Sequence, residues 1–202
     1  VFVLTSNAMG VVKAFFVAEG AGGPYRAGLV KGSAEQVDSL GVSVGSQVNL
    51  QVRVEEFQGT GAGSETQLHL VGGTLVPGMA TVPAPTVLPP STFGSDLAAE
   101  AYEGVLVRVE NATAIRFESG ARTEYGMFRL QGGAYVDDLF FKYDAGVGET
   151  FSSITGFVRY GFDGKWMLLP RNADDVVSSG NALAPVDVSV VNIQDPANAQ
   201  NL

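Results

Sequence analysis

The chain has 202 residues, enough for one large or two small domains that each bury a core. Its 12 basic and 21 acidic side chains leave a net charge of −9, and neither half is basic, which disfavours generic polyphosphate binding. The absence of cysteine excludes a disulfide scaffold and a thiol nucleophile, while 26 glycines among short apolar runs point to many turns and an all-β fold.

In chain order, strands are predicted at 1–5, 11–18, 27–31, 48–57 and 67–71. In VNLQVRVE at 48–55 every second residue is apolar, the period of a strand with one buried face. The glycines and proline of GAGGPY at 20–25 make a tight turn. Five prolines at 77–95 read as a semi-extended linker. A short helix is predicted over 96–102, with Asp96 as its N-cap. Further strands follow at 104–109, 114–117, 126–130, 139–142, 153–160 and 166–169. A Val-Gly turn, a long strand ending in an aromatic, a glycine hairpin and an apolar strand occur from Val44 and again from Val147. That spacing of about 100 residues fits a duplicated small barrel. The division is thus 1–76 for a first barrel, 77–95 for the linker, 96–178 for a second barrel and 179–202 for a tail.

No run approaches the roughly 18 apolar residues of a membrane helix, so no membrane span is expected. The start at Val1, with no charged and apolar leader, fits equally a mature exported chain and a trimmed piece.

Catalytic apparatus is scarce. His69, the single histidine, lies between Leu68 and Leu70 and is expected to face solvent or a barrel rim. No Gly-x-Ser-x-Gly elbow accompanies it. The neighbours Glu55/Glu56, Asp137/Asp138 and Asp174/Asp175 point to opposite strand faces, and no calcium-loop spacing links them to Asp144 or Asp163. The chain therefore reads as a non-enzyme without metal or cofactor. The best ligand patch is aromatic and cationic: Arg159, Tyr160, Phe162, Lys165, Trp166 and Arg171. The competing reading packs these rings in a core and lays the arginines over apolar surface.

AFFVAEGAGGPY at 14–25, VGSQVNLQVRV at 44–54, YEGVLVRVEN at 102–111 and SITGFVRYG at 153–161 resemble the OB-fold-like repeats of secreted bacterial proteins. The resemblance implies two tandem OB-like β-barrels and an extracellular or cell-surface location. In that family such repeats often stand beside a nuclease domain of the endonuclease/exonuclease/phosphatase type, or inside large surface proteins. The tail VDVSVVNIQDP at 186–196 resembles the opening strand of such a repeat. Either it begins a further unit, or it is a donor strand that completes the first barrel of a neighbouring molecule. The residues to insert are Val186, Val188 and Val190, with Ile193 out of phase and needing a bulge. The leading expectation is a non-catalytic extracellular structural protein, a filament subunit self-associating through its tail. The alternative is a binding module for single-stranded nucleic acid or polysaccharide, which the net charge disfavours.

Overall fold

A computed structural model describes residues 12–117, 126–161 and 163–180. The expected strand at 1–5, Phe162 and the tail positions Val186, Val188, Val190 and Ile193 lie outside the described residues.

The first unit opens with the antiparallel pair β1 (Val12–Ala18) and β2 (Ala27–Ser33). Helix α1 (Ala34–Leu40) follows directly. Ser33 and Gln36 form a reciprocal capping box at its start, and Gly41 ends it in the left-handed region. The sequence reading missed this helix, although Ser-x-x-Gln followed by Gly was its signal. A long hairpin then joins β3 (Ser46–Gln58) to β4 (Ser64–Met79), and β4 lies parallel to β2. The resulting sheet has the order β1-β2-β4-β3. Among the described residues it is an open sheet and not the closed barrel that was expected.

The second unit does close. Its strands are β5 (Thr86–Leu88), β6 (Leu106–Phe117), β7 (Phe128–Leu130), β8 (Tyr135–Val136), β9 (Thr150–Tyr160), β10 (Trp166–Leu169) and β11 (Val176–Ser178). The first half of β6 pairs with β9 and its end crosses to β7, which closes a five-stranded barrel β6-β7-β8-β10-β9. The run 114–117 is thus the end of β6 and not a separate strand. Within the barrel, β7-β8-β10-β9 repeats the order β1-β2-β4-β3, down to the central parallel pair.

Several expected elements take another form. Within the proline-rich stretch 77–95, β4 runs on to Met79, β5 lies along β6, and Pro90–Gly94 forms a 3-10 turn. Helix α2 (Asp96–Glu100) is shorter than predicted and follows Ser95; the Asp96 carboxylate instead accepts a hydrogen bond from the Trp166 indole at 3.0 Å. The stretch 139–142 is irregular. Its apolar residues divide between two surfaces, Leu139 and Phe140 against the contact between the units and Phe141 against the barrel core.

Alternation across strands assigns the core. In β10, Trp166 and Leu168 point into the barrel while Met167 and Leu169 point out of it. In β1, Phe15 enters a small core with Val30, Val37, Leu40 and Leu70, and Phe16 points the other way. Outward residues of one unit meet outward residues of the other: Phe16 and Leu29 pack on Leu106, Phe157, Met167 and Leu169. The rings of Phe16 and Phe157 stack with centroids 4.1 Å apart and planes 1° from parallel. This is an apolar layer between the units, hidden from water as fully as a core.

Phe16→Ala should therefore cost about 3–5 kcal/mol of unfolding free energy, the usual loss for a truncated buried ring. Leu97→Ala, at a side chain 84% exposed, should stay within about 0.5 kcal/mol. Urea denaturation of the two variants against the parent chain checks both values.

Candidate functional site

Four titratable groups that burial perturbs, Lys31, Glu65, Glu103 and Asp137, lie at or beside the seam between the units. Period two places Lys31 on the same face of β2 as Leu29, and Glu65 and Gln67 together on β4. The Glu65 carboxylate, 2% exposed, receives Lys31 Nζ at 3.1 Å, Arg159 Nε from β9 and the Gln67 side-chain amide. Burial acts to raise its pKa, but Arg159 and Lys31 outweigh that and hold it below the ordinary value. Lys31 is lowered, because the cost of desolvating its ammonium exceeds the attraction of Glu65. One carboxylate thus holds two cations, one from each unit.

Glu103, just ahead of β6, reaches across the seam so that one carboxyl oxygen accepts the Thr66 backbone N–H at 3.1 Å. Its other oxygen is buried without a hydrogen-bond partner. Desolvation dominates and raises its pKa to about 7, with Glu100 and Glu65 adding repulsion. Beside it lies a cleft of about 190 Å³, lined by Tyr25, Ala27, Gly28, Thr66, Leu68, Glu100 and Glu103. Asp137, after β8, is raised to about 6 by burial and by the neighbouring Asp138, with Arg159 opposing the shift.

Close backbone approach holds the seam together. The Tyr25 N–H donates to the Ala101 carbonyl at 2.7 Å. A Cβ on Gly104 would sit 2.7 Å from the Gly28 Cα, and one on Gly61 2.4 Å from the Gly164 Cα. Any larger residue at Gly61 would drive apart the β3–β4 and β9–β10 hairpin tips.

The described residues of the predicted ligand patch each make internal contacts. Arg159 is held by Glu65. Tyr160 is 3% exposed, packs edge-on to Trp166 at 4.9 Å, and its hydroxyl accepts the Gly63 N–H at 3.0 Å. Trp166 is held by Asp96. Arg171 forks onto Asp175 through two hydrogen bonds of 2.7 and 2.6 Å. Lys165 pairs with Asp163 at 3.0 Å and lies over the Tyr135 ring at 5.0 Å. Sequence reasoning missed Lys31, Glu65 and Glu103, because the alternation that buries them is indistinguishable from one that exposes them until the second unit is in place.

His69 Nε2 lies 3.7 Å from the Glu55 carboxylate, beyond hydrogen-bond distance, and is half-buried beside β3. Glu56 instead accepts the hydroxyls of Ser64 and Thr66, at 2.7 and 2.9 Å. Among the described residues no three His, Asp or Glu side chains are grouped to hold a metal ion, and no helix is long and apolar enough to cross a membrane. No protein-family model matches the chain, nor does any curated protein or solved structure.

The seam sets a pH dependence. For a carboxyl whose pKa rises on folding, the native state binds the extra proton, so stability falls as pH climbs between the unfolded and folded values. For Glu103 that window runs from 4.5 to about 7, and for Asp137 from 3.8 to about 6. Glu65 acts in the opposite sense and only in acid, at and below its ordinary 4.5. The melting temperature should therefore be higher at pH 5 than at pH 7.5, and Glu103→Gln, which keeps an acceptor for Thr66, should reduce that difference. Scanning calorimetry of both proteins across this range gives the slopes.

Proposed function

We propose that this chain is a non-catalytic structural and assembly protein of the cell exterior, built from two OB-like units and self-associating through the open side of the first. A closed five-stranded barrel with parallel third and fifth strands is the OB arrangement, and β6 to β10 have that order. The first unit repeats four of those strands. The place of the fifth, between β1 and β3, is filled by no strand among the described residues.

The observation that carries the reading is that open side. Among the described residues β1 and β3 are the terminal strands of their sheet. Along β3 the inward row Val48, Leu50 and Val52 is only half-covered, and Val54 is 62% exposed. An unpaired edge beside an uncovered apolar row is a template for another strand, and proteins that remain monomeric blunt or cover such edges. The location rests on the resemblance to secreted repeat proteins. The consumption of the aromatic and cationic side chains in internal contacts supports a building block over an enzyme.

Light scattering behind size exclusion, with negative-stain electron microscopy, compares the full chain with one ending at Gly180. Oligomers or filaments that grow with concentration are expected from the full chain. A full chain monomeric at every concentration would sink the proposal.

A second reading, a module for single-stranded nucleic acid or polysaccharide, is favoured by Tyr135 on β8. Its ring carries Lys165 Nζ at 5.0 Å and the Arg129 guanidinium at 5.7 Å. It expects a salt-sensitive affinity for an oligonucleotide or a soluble glycan that Tyr135→Ala weakens roughly tenfold, one stacking contact being worth about 1–3 kcal/mol. Absence of binding at low salt removes it.

A further inference from the structure

We infer that Glu103 is a proton-operated latch between the two units. While its carboxyl is neutral, the turn 101–104 stays closed on β4 and on the loop joining β1 to β2. Once it is ionised, that corner of the seam opens to water and the barrel stays folded. The latch works whether or not the chain self-associates. Two backbone donors of the first unit reach across the seam to this turn. The Thr66 N–H of β4 donates to Glu103 Oε2 at 3.1 Å, and the Tyr25 N–H donates to the Ala101 carbonyl at 2.7 Å. The turn itself is anchored to its own unit, where the Glu103 N–H donates to the Glu100 carbonyl at 3.1 Å and the Gly104 N–H to the Val158 carbonyl at 2.9 Å. A movement of the Glu103 side chain therefore breaks a contact with the first unit and leaves the barrel backbone in place.

The carboxyl lies between two environments. In the closed one its other oxygen, Oε1, is buried and has no hydrogen-bond partner among the described residues. A neutral carboxyl tolerates that place, whereas an ionised one leaves charge there that nothing solvates. Beside it is the cleft of about 190 Å³, whose walls Tyr25 and Glu100 are exposed to solvent. At about 30 Å³ per water in the liquid, the cleft has room to hydrate a carboxylate that swings into it. Tyr25 favours release as well. Its φ is 57°, a left-handed conformation that a residue with a bulky side chain holds only under constraint.

The charges around Glu103 set the direction. Glu100 of α2 and Glu65 of β4 both repel its anion. Lys31 of β2, which Glu103 also attracts, and Arg159 of β9 are both engaged by Glu65. Glu56 of β3 accepts the Thr66 hydroxyl at 2.9 Å and, together with Asp96, pushes Glu100 up. The Tyr25 phenol is the other titratable group lining the cleft. Desolvation is the largest influence on Glu103, and the Thr66 hydrogen bond opposes it without cancelling it, so the carboxyl is pushed up to about 7. The closed form thus binds a proton that the open form releases. Closure is favoured in acid and is lost as the pH rises from 4.5 to about 7.

Amide hydrogen exchange of the full chain, followed by NMR at about pH 5.5 and 8.5 and corrected for the exchange of free amides, tests the latch. The Thr66 and Tyr25 amides are expected to lose protection roughly tenfold or more at the higher pH, as linkage over that window allows. The Val158 amide, bonded to the Val105 carbonyl at 3.0 Å inside the barrel, is expected to keep its protection. Glu103→Gln, which retains an acceptor for Thr66 and has no proton to lose, should protect Thr66 and Tyr25 equally at both pH values. The inference is overturned if these two amides stay protected in the parent chain at the higher pH, or if the glutamine variant loses protection as the parent does. It is overturned equally if Val158 loses protection to the same extent, since the event would then be general unfolding. Should the variant fail to fold, the contrast between Thr66 and Val158 in the parent chain decides the matter.

Discussion

The stack of Phe16 on Phe157 marks the constraint on which the rest of the structure depends: the strands that meet at the seam are buried on both faces. β1 and β2 send one set of side chains into the small core of the first unit and the other set against the barrel. β9 and β10 do the same from the barrel side, with Ile154, Val158 and Leu168 inward and Phe157, Met167 and Leu169 outward. A strand exposed on one face would alternate apolar and polar, whereas a sandwiched strand needs apolar residues on both. The run Trp166–Leu169 meets that need with four buried residues in succession.

Charge at this seam determines how the units are aligned more than how tightly they adhere. Desolvating two cations and a carboxylate costs several kcal/mol per ion, and mutual attraction restores it only when the geometry is good. An apolar seam could slide. A seam in which Glu65 must receive Lys31 from its own unit and Arg159 from the other admits one register. Glu103 adds a condition: its carboxyl crosses to the Thr66 backbone with one oxygen left unpartnered, so its proton matters to the fit between the units.

The two units differ in how complete they are. The barrel surrounds a core in which Phe128, Phe151, Ile154 and Leu130 are wholly enclosed. The first unit encloses Phe15 and Val30 but leaves Val54, Leu75 and Met79 largely in solvent along its long hairpin. Among the described residues β3 ends its sheet on the side away from β1.

Much of this was written in the order of the residues. A period-two apolar run located β3, and short β-rich runs bounded by glycines or polar residues located β1, β2, β9 and β10 closely. Helix α1 was legible in Ser33, Gln36 and Gly41 but was overlooked, and 139–142 was misread because apolar loop residues that cover a core look like a strand. Composition alone excludes a disulfide scaffold, the chain having no cysteine. What the order of residues could not say is which of two equivalent faces each strand would bury, and against what. Arg159, Tyr160, Trp166 and Arg171 looked like a ligand platform, since an aromatic beside a cation has the same spelling whether it meets a base or a neighbouring strand. Only the long-range pairing of β9 with β6, and the docking of one unit on the other, placed Arg159 on Glu65 and Trp166 on Asp96. Local periodicity follows from the geometry of the strand, but the partner of each face is settled by contacts between residues far apart in the chain.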